Sequence, residues 1–286
     1  MAPGEPLMRE SSIILESSTM LTVEDHAALS KAVDLLERSS LTLRLTTLAG
    51  KQLEMVGRAL PQRATQIING AAELAIKTAL RAALATTSHK IGTPAANGWH
   101  RTLTAASGAA GGAFGLAALS VELPVSTTLM LRSIAQIARA QGENLDNPET
   151  ALHLLEVFAL GGRKPGEEML EGGYFALRMV LAKSVSDAAR FIAAKSAGDQ
   201  TAPVIVRLIS LIAAQFGIVV GEKLAAQALP LIGALGGAAV NYAFTQHFQD
   251  IALGHFTVRR LERIYGPEAV REAYEQIRLS GKSVGR

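Results

Sequence analysis

The chain contains no cysteine. That excludes disulfides and thiolate metal sites, fits a reducing compartment, and leaves histidine and carboxylates as the source of any metal chemistry. Aromatic residues make up only 5 % of the 286 positions, whereas hydrophobic residues reach 49 % and mean hydropathy is +0.24. With few rings to bury, the core has to come from aliphatic and alanine-rich helix faces, so a β-rich architecture is disfavoured. Charge of one sign is also scarce: 28 Lys and Arg stand against 25 Asp and Glu, without a dense basic block or interleaved aromatics. This pattern gives no support to nucleic-acid binding. The N-terminal MAPGEPLMRESSIILESS has no basic start followed by an apolar run, which predicts no secretory signal. The expected location is cytoplasmic, with docking at the inner membrane leaflet as its membrane-associated form.

Two stretches lack charge altogether: the 20 residues Thr102 to Val121 and the 26 residues Leu224 to Gln249. Both are rich in Gly and Ala. Gly108, Gly111, Gly112 and Gly115 overlap at four-residue spacing in the first, and Gly233 and Gly237 repeat that spacing in the second, beside Gly236. Small residues so placed let two helix backbones approach closely, as in membrane helix pairs. About 20 mostly apolar residues also suffice to span the hydrocarbon core. Two readings follow: a buried, glycine-lined helix pair at the centre of a bundle, or segments that enter or lie on a bilayer. Pro230 should kink or end the second stretch.

Elsewhere the punctuation is helical. Residues 1–18 read as a loose arm, with Pro3, Gly4 and Pro6 and no sustained period. Thr22 with Asp25 forms a capping arrangement for an amphipathic helix through about Arg38, and a second helix is expected from about Ser40 to Leu60, before Pro61. A third covers Ala64 to Leu84. Pro124 suits the first turn of a helix closed by Gly142, and Asn147 with Pro148 starts one that ends at Gly161 and Gly162. Helices over Tyr174 to Lys195, from Pro203, up to Gly266 and from Pro267 complete the series, and 281–286 read as a disordered tail. The sum is an all-α protein: a single large multi-helix bundle of about ten helices over residues 19–280, with a central Gly/Ala-rich helix pair.

Several dissimilar blocks occur in a fixed order: GGAFGLAALSVELPVSTTLMLRSIAQIARAQGENL, LEVFALGG, GYFALRMVLA and PLIGALGGAAVNYAFTQHFQDIALGHFTVRRLERIYG. Over about residues 30 to 280 the chain resembles the EcsC family of bacterial proteins, named from the third component of an operon encoding an ABC transporter. The resemblance implies an all-helical protein associated with membrane transport and secretion, without a settled biochemical activity. Many members carry Asp where this chain has Glu122. Some carry a peptidase label, but this chain has no HExxH, no GxSxG and no cysteine nucleophile to support it.

Candidate chemistry lies in three groups. His153 and Glu156 share a helix face and could join His247, Asp250 and His255 in a metal site, although His247 and His255 are eight residues, or about 80°, apart around a helix. Glu122, Arg132, Glu156 and Arg178 sit among apolar neighbours, so they should pair in an ion network or line a polar cavity for a lipid head group or small ligand. His255, Arg259 and Glu262 share another face, suited to an interhelical polar seam, a proton relay or phosphate contact. No cofactor is expected. The leading expectation is a non-enzymatic, membrane-associated accessory protein whose partners are membrane lipid or a membrane transport protein. The alternatives are a metal-dependent hydrolase using His, Glu and Asp on facing helices, and a soluble helical scaffold that binds an apolar ligand.

Overall fold

Capping residues and prolines set most helix boundaries in the computed structural model, which describes residues 21–38, 40–49, 61–87, 113–162, 173–194, 202–227 and 233–283. Nine α-helices occur among them, with no strand: α1 (Val23–Val33), α2 (Leu41–Ala49), α3 (Gln62–Thr87), α4 (Ala113–Ala140), α5 (Pro148–Leu160), α6 (Gly173–Ala194), α7 (Pro203–Gln227), α8 (Gly233–Tyr265) and α9 (Pro267–Ser283). Thr22 caps α1 by accepting from the Asp25 N–H at 3.1 Å, and Asn147 caps α5 through the Glu149 N–H at 2.9 Å. Each satisfies a backbone donor that a helix start leaves free. At the end of α4, Gly142 adopts φ +81°, and the next N–H returns to the Ala138 carbonyl at 3.0 Å. That left-handed turn suits glycine because it carries no Cβ.

Three boundaries differ from expectation. The segment that follows α1 winds wider, as a π-helical turn over Asp34–Arg38. α4 runs through Pro124 instead of starting there. Proline removes one backbone donor, yet the helix continues, and in the turn that follows Thr128 Oγ1 donates to Pro124 O at 2.8 Å and Ser126 Oγ to Leu123 O at 3.1 Å. α9 extends to Ser283, so only 284–286 of the expected tail lie beyond it. The expected arm, residues 50–60 of the second helix, Pro230 and most of the first uncharged stretch fall outside the described residues.

Packing centres on α7 and α8. α7 touches α2, α3, α5, α6 and α8, while α8 touches α1, the π-helical turn, α2, α4, α5, α7 and α9. Between them lies a cluster of four fully buried rings, Phe158, Phe216, Phe244 and Phe248, with centroids 5.2 to 6.2 Å apart. Half of the chain's eight phenylalanines are concentrated there, and tilted or edge-on rings at such distances add to the burial term. α7 is the one helix among the described residues long and apolar enough to cross a membrane, yet 56 % of its most apolar window is buried in the bundle. Neither uncharged stretch forms such a helix within the described residues.

α4 and α8 run parallel as neighbours. Gln249 donates to Ser133 Oγ at 2.8 Å, and Arg259 donates to Glu143 at 2.8 Å, and both pairs are 116 residues apart in sequence. The same register carried toward the N-termini sets Val121 level with Gly237. Of the described parts of the two uncharged stretches, 113–121 opens α4 and 233–249 forms the N-terminal half of its neighbour α8, while 224–227 ends α7. The expected glycine groove is not found at Gly237, where an added Cβ would meet nothing within 4 Å. Close approach falls at other glycines: a Cβ on Gly161 would sit 2.4 Å from the Phe248 ring, one on Gly162 2.2 Å from the Gln215 carbonyl oxygen, and one on Gly254 2.7 Å from Leu36.

Candidate functional site

α5 is buried on nearly every side from Thr150 to Leu160, and His153 is its main outlet toward solvent. One turn of that helix brings His153 Nδ1 to Glu156 Oε2, a hydrogen bond of 2.6 Å. From α8, His255 directs Nε2 toward the same oxygen at 3.7 Å. One potential ligand atom from each of His153, Glu156 and His255 lies within 4.8 Å of the others. Gly254 precedes His255 and lets the π-helical turn press against α8, which carries Glu37 toward the start of α6.

α6 supplies the other side. Tyr174 Oη is 2.9 Å from His255 Nδ1, and Arg178 donates to that hydroxyl at 3.4 Å. Arg178 also grips Glu262 with two hydrogen bonds, 2.6 and 2.7 Å. Above Tyr174, buried Glu37 accepts from the Tyr174 N–H at 3.1 Å and from the Tyr274 hydroxyl at 2.7 Å, while the two tyrosine rings stack at 5.6 Å. Complete burial pushes the Tyr174 phenol well above its usual range, so it remains protonated. Burial first, then Arg178, Arg259 and His153, hold His255 well below the ordinary imidazole value, and it is neutral near pH 7. Its proton position decides what Nε2 can do. If Tyr174 donates to Nδ1, Nε2–H faces Glu156; if Nδ1–H donates to Tyr174, Nε2 turns a lone pair into the gap between Glu156 and His153.

The structure separates several residues that the sequence grouped. Of the five proposed metal ligands, His247 instead donates from Nε2 to the Gly161 carbonyl at 2.9 Å, and Asp250 pairs with Arg44 and accepts from Gln246. The eight-residue spacing puts His247 about 12 Å along the axis from His255, against the phenylalanine cluster. Of the six residues proposed to line a polar cavity, Glu156, His255 and Arg178 gather around Tyr174, whereas Glu122, Arg132 and Arg259 lie with other partners or at the surface. Glu122 pairs with buried Lys223 of α7 at 3.1 Å, and Arg132 is exposed on α4. Arg178 is paired with Glu262, and Arg259 bonds to Glu143, which Arg263 also holds. His255, Arg259 and Glu262 form an interhelical seam, each facing a different partner. A separate pocket of about 350 Å³ between α6 and α7, edged by Val180, Lys183, Asp187, Val204, Arg207 and Leu211, contains none of these residues.

Sequence reasoning missed Tyr174, Glu37, Tyr274, Glu143 and Lys223. Tyr174 carried a usable signal, because it lies one helical turn before Arg178 and so on the same face. Glu37 and Tyr274 are 237 residues apart and carried none.

An all-helical bundle with a buried His–Glu–His cluster, and without a nucleophile motif, defines the class. The chain belongs to the EcsC protein family, whose model matches residues 29–261. That span takes in His153, Glu156, Tyr174, Arg178 and His255, and it stops just short of Glu262 and of α9. No curated protein and no solved structure matches the chain.

Proposed function

We propose that this is a non-enzymatic accessory protein of the cytoplasmic membrane face, docking on lipid through an exposed apolar stripe of α4 and the adjoining part of α8, beside a transport or secretion partner. One observation carries the reading. Val121, Val125 and Leu129 are exposed at four-residue intervals on α4, and Arg132 and Arg139 continue the same face toward its C-terminus, all within about 80° of arc. Tyr242, 71 % exposed on α8, stands at the level of that apolar stripe by the helix register. An apolar tip followed by arginines matches the interface between acyl chains and anionic head groups, and an exposed tyrosine suits the same depth. α7 is not the docking element in this reading, since most of its apolar window packs inside the bundle.

The test is flotation with vesicles of phosphatidylglycerol and phosphatidylethanolamine. Wild-type protein should float with them and be released by detergent better than by salt. The double substitution Val125→Asp with Leu129→Asp should abolish flotation while leaving the helical circular dichroism unchanged. Equal flotation of the variant, or recovery of the wild type wholly apart from vesicles, would reject the reading.

A further inference from the structure

We infer that His153, Glu156 and His255 form a binding site for one divalent first-row transition-metal ion of the zinc type, between α5 and α8. Three observations carry this beyond the membrane reading, and none depends on it. First, the donors converge. Nδ1 of His153 and Nε2 of His255 flank Glu156 Oε2 at 2.6 and 3.7 Å, and all three potential ligand atoms fall within 4.8 Å. Four-coordinate zinc, with bonds of about 2.0 to 2.1 Å, needs ligand atoms roughly 3.3 to 3.5 Å apart. His255 and Glu156 are close to that spacing, and the His153–Glu156 hydrogen bond has to open by less than about 1 Å to match it.

Second, His255 Nε2 is fully buried and makes no hydrogen bond. A polar atom so placed costs about 1–3 kcal/mol unless something engages it. The atom is directed at Glu156, and a metal ion in the gap would accept its lone pair.

Third, His255 has a hydrogen-bond partner on the nitrogen that faces away from the gap, and a carboxylate lies near the corresponding nitrogen of His153. Tyr174 Oη is 2.9 Å from His255 Nδ1, and Glu149 Oε1 is 3.8 Å from His153 Nε2. A hydrogen bond such as the one with Tyr174 fixes the ring tautomer and strengthens imidazole as a ligand. Metal binding requires the His153 proton on Nε2, beside Glu149, and the His255 proton on Nδ1, donating to Tyr174. Arg178 stands behind Tyr174, but Glu262 already balances its charge. Two imidazoles and one carboxylate suit zinc, iron(II) or cobalt(II) better than calcium or magnesium, which prefer sets of oxygens. His153, the least buried of the three, marks the side on which water completes the coordination.

The experiment uses the full chain, stripped with chelator and titrated with Zn²⁺ against a chromophoric competitor, then with Co²⁺. The expected results are one Zn²⁺ per chain, a higher melting temperature with Zn²⁺, and visible absorption bands of four-coordinate Co²⁺. Tyr174→Phe should weaken binding about tenfold. Glu156→Gln and His153→Ala should weaken it by at least about 100-fold, more than loss of an outer partner. His247→Gln, outside the cluster, should keep the wild-type stoichiometry. Folded wild-type protein that takes up less than one equivalent, or a folded His153→Ala or Glu156→Gln variant that binds as wild type, would overturn the inference.

Discussion

Glycines in this chain do two different jobs, and the difference is set by what lies beside each one. At Gly162 a methyl group would come within 2.2 Å of a backbone oxygen of α7, and that oxygen cannot swing aside as a side chain would. At Gly237 the same methyl would meet nothing within 4 Å, in a helix where glycine is less favourable than alanine. Gly162→Ala should therefore destabilise the protein by about 1–3 kcal/mol through overpacking. Gly237→Ala should leave stability unchanged or raise it by about 0.5–1 kcal/mol, by relieving the glycine penalty. Urea unfolding of the two variants beside wild type decides the matter, and equal effects of the same sign would refute this assignment of the tight positions. Gly237 belongs to one of the two uncharged runs, yet it is not a position of close packing. What matters is the partner surface, which is Gln215 in one case and open space in the other.

Between elements, the parallel pairing of α4 and α8 is pinned at its C-terminal end by one carboxylate. Glu143 is almost fully buried and receives Arg259 and Arg263 together, while Arg263 also donates to the Gln141 carbonyl at 2.6 Å. Burial alone would raise the Glu143 carboxyl, but the hydrogen bonds and charges of the two arginines outweigh it and hold the group below its ordinary value. Glu143→Ala should cost about 2 kcal/mol, short of a fully buried pair because Arg263 is 41 % exposed. Chemical denaturation measures this, and a loss under about 0.5 kcal/mol would mean that the arginines do not clamp the helices. Local signals made most of this level legible in the sequence: Thr22, Asn147, Gly142, Pro148 and Pro267 each mark a helix end as capping chemistry requires. Pro124 lies inside α4, and nothing local in the sequence separates a proline that a long helix carries in its interior from one that opens a helix. The His153–Glu156 half of the candidate site was legible for the same local reason, a three-residue spacing on one helix. Its other half was only partly so. His247 and His255 look equivalent in sequence, and it takes the third dimension to send one to Gly161 and the other to Glu156.

For the whole molecule, those two buried histidines tie folding to acidity. His247 is held down to about 4, chiefly by burial and further by Arg44, although the Gly161 carbonyl that accepts its Nε2–H pulls the other way. His255 is lowered as well, again by burial first. A group with a folded value below its unfolded value of 6.5 binds more protons when the chain unfolds, so acid favours unfolding. The stabilising contribution is complete above about pH 6.5 and is lost as pH falls toward 4. For His247 alone the loss reaches about 3 kcal/mol, a sizeable part of the stability of an ordinary domain. Glu143, which is lowered too, adds its own loss further down, below its ordinary carboxylate value of 4.5. Urea unfolding at about pH 7.5, 6 and 5, in chelator so that metal linkage does not intrude, should show stability falling steadily across the series. His247→Gln keeps an N–H that can reach Gly161 but cannot take up a proton in this range. Its stability should accordingly fall less steeply than that of wild type between about pH 6 and 5, with His255 supplying the remaining slope. A flat wild-type profile, or a variant with an undiminished slope, would show that these imidazoles do not couple folding to protonation.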